Sequence, residues 1–207
     1  MMEEMDGFEL CGKIKSNINI SHVPVILLTA KTDTESKIKG LEAGADAYIE
    51  KPFSPFHLKA QLLNLLKKRE SQQKTYASTP LSDLHSAVHN KLDEEFMNKC
   101  TEIIQNNIED SEFSVNTLAQ ELGMSRTSVF TKIKGIIGMT PNDFIKVTRL
   151  KKACKMMVEG EYRVTEMGFI VGFSSSSYFA KCFQKQFGML PTEFLKKIKE
   201  DPSSATK

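Results

Sequence analysis

Two stretches of this 207-residue chain repeat one pattern. The first, SVNTLAQELGMSRTSVFTKIKGIIG, begins at Ser114, and the second, RVTEMGFIVGFSSSSYFAKCFQKQFG, at Arg163. In each, a short helix with apolar periodicity ends at a glycine, Gly123 or Gly172. One apolar residue follows, Met124 or Phe173, and a serine, Ser125 or Ser175, opens a second helix. Glycine reaches the left-handed conformation without a Cβ penalty, which suits it to close the first helix. Serine accepts an orphan backbone N–H, which suits it to start the next. The two openings stand fifty positions apart, and the recurrence makes a weak local signal a strong constraint. A turn of this kind fixes the angle between its helices. The second helix can then stand proud and enter a DNA major groove.

The charge distribution agrees with that geometry. The formal net charge is only +2, but residues 122–199 hold fourteen Lys/Arg against five Asp/Glu. Residues 92–121 reverse the balance, with one lysine against eight acids. A basic face on a helical unit is what phosphate binding needs, although on charge alone a solvated lysine-rich surface is the better reading. The four cysteines, Cys11, Cys100, Cys154 and Cys182, show no CxxC spacing. Reduced thiols in a cytoplasmic protein are expected, with Cys154 and Cys182 on apolar helix faces. No apolar run approaches the ~18 residues of a membrane span. The acidic start MMEEMDG lacks the basic region and apolar core of a signal peptide. There is no Gly-rich phosphate loop, no HExxH and no nucleophile with a placed base, so the sequence does not read as an enzyme. No metal or cofactor is expected.

Residues 1–70 alternate helix and strand signals. Phe8 to Asn17 is predicted helical, with Leu10, Cys11 and Ile14 on one face. Val23 to Leu28 is a continuous apolar run, as in a strand covered on both faces. Thr34 to Glu42 is predicted helical with Ile38 and Leu41 inward, ending at Ala43-Gly44. Ala47-Tyr48-Ile49 reads as a short strand. Ser54 caps a helix through Arg69 whose stripe is Leu58, Leu62, Leu65 and Leu66. This alternation predicts a parallel α/β sheet.

MDGFELCGKIK, VPVILLTAK, GLEAGADAYIEKPF and the leucine-striped helix, in that order, resemble the second half of a response-regulator receiver domain. In that family MDG closely follows the strand bearing the phospho-accepting aspartate. The resemblance therefore puts the acceptor just before Met1, so no phospho-acceptor and no Mg²⁺-holding acidic pair is expected in this chain. It gives Thr29 the role of the switch hydroxyl and Lys51 that of the lysine pairing with the phosphoryl group, with a cis Lys51–Pro52 bond. Tyr48 matches the aromatic that turns inward on activation. In the family strand order 2-1-3-4-5, only strands four and five would remain. An exposed apolar edge and a loosely folded half-domain follow, testable by amide exchange across residues 23–50.

Glu70 to Asn90 is rich in Ser, Thr and Gln and shows no sustained apolar period, which predicts a solvated linker. His85 and His89 lie four apart, but no further ligand joins them. Leu92 to Asn107 is an amphipathic helix with Phe96, Cys100, Ile103 and Ile104 on one face. Ser114 caps the helix Val115 to Leu122. Ser125 opens the first recognition helix, whose inward residues are Val129, Ile133, Ile136 and Ile137. That leaves Arg126, Thr127, Ser128, Thr131, Lys132 and Lys134 outside. Thr140 and Pro141 start a long helix to Val158, a rigid spacer with Phe144, Ile145, Val147, Leu150, Cys154 and Met157 apolar. In the second unit Phe179, Phe183 and Phe187 form a buried stripe at spacing four. Ser175, Ser176, Ser177, Tyr178, Lys181, Gln184 and Lys185 are its candidates for the outward face.

LAQELGMSRTSVFTKIK, GMTPNDFIKVTRLKKA and VTEMGFIVGFSSSSYFAKCFQKQFGMLPTEF resemble the AraC/XylS-type DNA-binding domain. In that family two reading helices enter successive major grooves on one side of the duplex. The resemblance places base contacts at Thr127 and Thr131, and at Ser176, Ser177 and Lys181. Lys132, Lys134, Lys151, Lys152 and Lys185 are the expected phosphate contacts. The resulting organisation is a truncated α/β receiver at 1–70, a linker at 71–91, an all-α double helix-turn-helix domain at 92–200 and a disordered tail at 201–207. The whole resembles the C-terminal end of hybrid two-component regulators of Bacteroides-like bacteria. That resemblance implies a transcription regulator at the output end of a phosphorelay. Its partners would be double-stranded DNA and either a receiver-domain dimer partner or an upstream histidine kinase. The alternative is a protein-interaction chain that pairs with or masks an intact receiver.

Overall fold

The computed structural model describes residues 5–30, 34–160 and 163–200. The 201–207 tail and the side chain of His85 lie outside them. The first unit contains α1 (Gly7–Ser16), β1 (Ile26–Thr29), α2 (Thr34–Glu42) and β2 (Ala47–Glu50). It ends in α3 (Pro55–Ser78). Asp6 caps α1, accepting from the backbone N–H groups of Phe8 and Glu9 at 2.9 and 2.8 Å. β1 and β2 pair in parallel, Ile26 opposite Ala47 and Thr29 opposite Glu50.

Among the described residues this sheet has two strands, so it covers little. Cys11 and Ile49 are buried. Ile38 and Leu41, expected to face inward, are instead exposed, Leu41 by 68%. Val23 and Leu28 are exposed as well, so the β1 run is covered on one side rather than two. Leu62 and Leu66 on α3 also face solvent. Each of these side chains needs an apolar neighbour that two short strands do not supply.

What holds this unit is a polar knot. Asp46 accepts from Lys15 Nζ at 2.6 Å, from Arg69 Nη2 at 2.7 Å and from the Val25 N–H at 2.8 Å. Burial pushes the Asp46 carboxyl up. The Lys15 and Val25 hydrogen bonds and the two cations outweigh it and hold the group below its ordinary value.

α3 crosses the expected boundary at residue 70 without a break. Its last turns bury Tyr76, which is 4% exposed, in the core of the following unit. The stretch 71–91 is therefore not a free connector. It consists of helix, a short 3-10 turn at Leu84–Ala87, and Asn90 as the cap of α4 (Lys91–Asn106).

Beyond it the chain is helical: α5 (Val115–Glu121), α6 (Arg126–Ile137), α7 (Pro141–Glu159), α8 (Val164–Ile170), α9 (Ser176–Phe187) and α10 (Pro191–Glu200). Two cores form. Phe96, Cys100, Ile104, Leu118, Val129 and Ile133 fill the first. Met167, Phe179, Phe183, Phe187 and Phe194 fill the second. α7 serves both: Phe144, Ile145 and Val147 enter the first core, and Leu150, Cys154 and Met157 the second. The Phe179–Phe183 and Phe183–Phe187 pairs meet edge-on at 5.8 and 4.9 Å. Such pairs add about 0.5–1.5 kcal/mol each beyond area burial.

Candidate nucleic-acid interface

α6 and α9 are built alike. Ser125 accepts from the Ser128 N–H at 3.0 Å, and Ser175 from the Tyr178 N–H at 3.2 Å. α6 and α9 each run twelve residues and stop at a left-handed glycine, Gly138 or Gly188. The preceding turns hold Gly123 at φ 65° and Gly172 at φ 77°. Gly172 is doubly constrained, because any Cβ there would collide with the Ile108 carbonyl oxygen. Arg149 on α7 ties that turn to the loop between α4 and α5. It donates to the Gly172 carbonyl at 2.7 Å and to the Asp110 carbonyl at 2.5 Å.

On α6, Arg126, Thr127, Thr131 and Lys134 are exposed on the face away from the core. Phe130 joins them, 41% exposed, with the Lys134 ammonium 5.5 Å from its ring centroid. The sequence reading missed Phe130, although its spacing of three from Thr127 and four from Lys134 puts it on that face. On α9, Ser177, Tyr178, Lys181 and Lys185 are exposed. Lys146 of α7 borders the same cleft as Lys181 and Lys185 and was also missed. A hydrogen bond with Cys182 holds the Tyr178 phenol above its ordinary pKa.

Several expected members are committed elsewhere. Ser175 is occupied by its cap. Ser176 donates its hydroxyl to the Thr165 carbonyl at 2.8 Å, and Ser128 shares a 2.8 Å hydrogen bond with Ser125. Lys132 corrects the reading outright, since its side chain is 0% exposed. Its Nζ lies 2.6 Å from Asp93 Oδ1 on α4 and 2.8 Å from Ser21 Oγ in the first unit. Position 132 is three residues after Val129 and four before Ile136, both buried, so the helix turns it inward toward α4. Lys151 is corrected likewise. It is buried over the Tyr76 ring and donates to the Thr79 carbonyl at 2.7 Å and to Ser82 Oγ at 2.8 Å. Loss of hydration pushes its pKa down to about 8.

The remaining switch residues sit at the C-terminal edge of the two-stranded sheet. Thr29 ends β1, and the Lys51 N–H donates to its carbonyl at 2.6 Å. The Lys51–Pro52 bond is cis, as expected. Lys51 is exposed, whereas Tyr48 lies further back, opposite Leu27 and packed on Gly40.

Residues 1–63 match the response regulator receiver domain family, and residues 118–197 match a helix-turn-helix domain family. A receiver segment is thus followed by a helix-turn-helix segment, and the chain belongs to the response regulator family. It is 35% identical over 162 residues to the transcriptional regulatory protein SpaR of Bacillus subtilis, covering 75% of this chain and 68% of that one. It is 37% identical over 200 residues to histidine kinase P4 of Formosa agariphila, covering 97% of this chain. The chain spans 15% of the length of that kinase. A solved AraC-type transcriptional regulator from Chromobacterium violaceum matches 52% of this chain and 96% of its own, at 22% identity and a TM-score of 0.48. The alternative of a pure protein-interaction chain is not favoured. Among the described residues no helix is long and apolar enough to cross a membrane.

Proposed function

We propose that one copy of the chain grips one side of a duplex, with α6 and α9 in successive major grooves. The observation that carries this reading is the pair of bare outer faces on two similarly capped helices, both packed against α7. At 1.5 Å per residue, the 19-residue α7 spans ~28 Å, close to the ~34 Å of one turn of B-DNA. Thr127, Thr131, Ser177 and Lys181 read base edges. Threonine and serine hydroxyls serve either donor or acceptor edges, and a threonine methyl packs on thymine. Phe130 adds an apolar surface for thymine methyls. Arg126, Lys134, Lys146 and Lys185 neutralise phosphates and set register. The chain acts in the cytoplasm as the output end of a phosphorelay, by binding rather than by catalysis. A histidine kinase, on a separate or the same polypeptide, supplies the signal.

The test is selection of duplexes from a randomised library by the full chain. Enrichment of one motif with two elements about ten base pairs apart is the expected result. Enrichment of no motif above non-specific binding overturns the reading.

A further inference from the structure

α3 contacts the receiver unit, α6, α7 and α9 from one face. Arg69 binds the receiver unit, donating to the His22 carbonyl at 2.6 Å and to Asp46 at 2.7 Å. One turn later, Gln73 Nε2 donates to the Ile136 carbonyl at 3.0 Å, in the last turn of α6. Tyr76 then enters the core beneath Lys151 of α7, whose Nζ is 4.5 Å from its ring centroid. Finally, the Ala77 carbonyl accepts from Gln186 Nε2 of α9 at 2.9 Å. These four positions stand at i, i+4, i+7 and i+8, which is one stripe of a helix.

The two glutamine bonds have a shared chemistry. Ile136 is in the last turn of α6, and Ala77 is in the last turn of α3. Carbonyls there have no partner within their own helix, so a side-chain amide that reaches one completes it. Each amide therefore pins a helix end at a defined point. The bonds lie behind the reading helices, since Thr127, Thr131, Ser177 and Lys181 stay exposed with α3 docked.

We propose that Gln73 and Gln186 are positioning residues that set the separation of α6 and α9, with α3 as the rod carrying the receiver's placement to both. The inference rests on the two-groove reading above. From Arg69 to Ala77 the rod is ~12 Å long, so a 10° tilt about Arg69 shifts its far end by ~2 Å. One base pair advances the groove by about 3.4 Å. A shift of ~2 Å is more than half of that step, so the seating of α3 bears on which spacing fits best.

The experiment uses the full chain and a duplex selected from a randomised library, together with duplexes carrying one or two extra base pairs between the two contacted elements. The native protein should lose about thirty-fold in affinity per inserted base pair, and Gln73→Ala/Gln186→Ala less than about five-fold. Gln73→Glu, which keeps the shape but removes the donor, should flatten the profile partway. Equal losses in native and double variant overturn the proposal, and so does a uniform weakening on all duplexes with the spacing ratio kept. A second measurement needs no DNA. Spin labels at Thr127→Cys and Ser177→Cys should show a broader distance distribution when Gln73 and Gln186 are replaced, and an unchanged distribution overturns the brace. If no duplex is enriched at all, the two-groove reading fails, while the label distances still decide the brace.

Discussion

Lys132→Met separates two incompatible roles for one residue. A lysine on the outer face of a reading helix contacts phosphate, and its loss lowers the salt slope of binding by about 0.9 while stability is kept. The lysine found here is fully buried, 2.6 Å from an equally buried Asp93, with Ser21 as a further partner. Methionine matches its length and supplies no charge, so Asp93 keeps its Asn90 and Ser21 hydrogen bonds but loses its cation. Removing one partner of such a pair costs about 3–5 kcal/mol, because the remaining charge stays out of water. For a chain of this size each kcal/mol moves Tm by about 2–4 °C, so melting should fall by roughly 6–20 °C. Thermal unfolding by circular dichroism, paired with a salt titration of binding to a selected duplex, reads both quantities. A variant that melts like the native protein and shows the shallower salt slope would refute the buried pair. The companion Lys134→Ala, on the exposed face, should show the opposite pattern, with the slope reduced by about 0.9 and melting little changed.

Three further outcomes follow from the packing. Gly135→Ala should favour α6 by about 1 kcal/mol on helix propensity, yet a Cβ there would collide with the His22 ring. The substitution should therefore destabilise the native chain and become neutral or stabilising in a His22→Ala background, which a double-mutant cycle of unfolding measures. Asp46→Asn removes the anion shared by Lys15 and Arg69 and should cost about 3 kcal/mol. The folded pKa of Asp46 is depressed, so its stabilisation is complete above the ordinary carboxylate value. That stabilisation is lost as pH falls through the lower folded value. An acid titration of stability should accordingly be flatter in the asparagine variant over that range. Phe183→Ala, at the centre of the second aromatic stack, should cost about 3–5 kcal/mol by chemical denaturation.

The reading unit was legible because its signals are local. Serine caps, left-handed glycines and a phenylalanine every fourth residue each act within a turn or two of helix, and the turn geometry of both repeats follows from them. Along α3 the same logic misled. Its stripe passes from Leu58, Leu62 and Leu65 to Arg69, Gln73 and Tyr76 at unbroken helical spacing. The Ser-, Thr- and Gln-rich run after Arg69 made the continuation read as solvated linker, yet the stripe runs on through Arg69 and Gln73. They face inward because their partners are the His22 and Ile136 carbonyls, which no nearby residue announces.

Lys132 follows the same rule. An ammonium normally seeks water, and only Asp93, thirty-nine positions earlier, and Ser21, more than a hundred, make its burial tolerable. Residue order alone thus establishes two capped helices that present basic and hydroxyl-bearing side chains outward. Which of those side chains remain outward, and what braces the helices from behind, depends on polar contacts across long stretches of chain. Burying a charge or an amide is favourable only where a distant partner is already in place, and that condition belongs to the assembled fold.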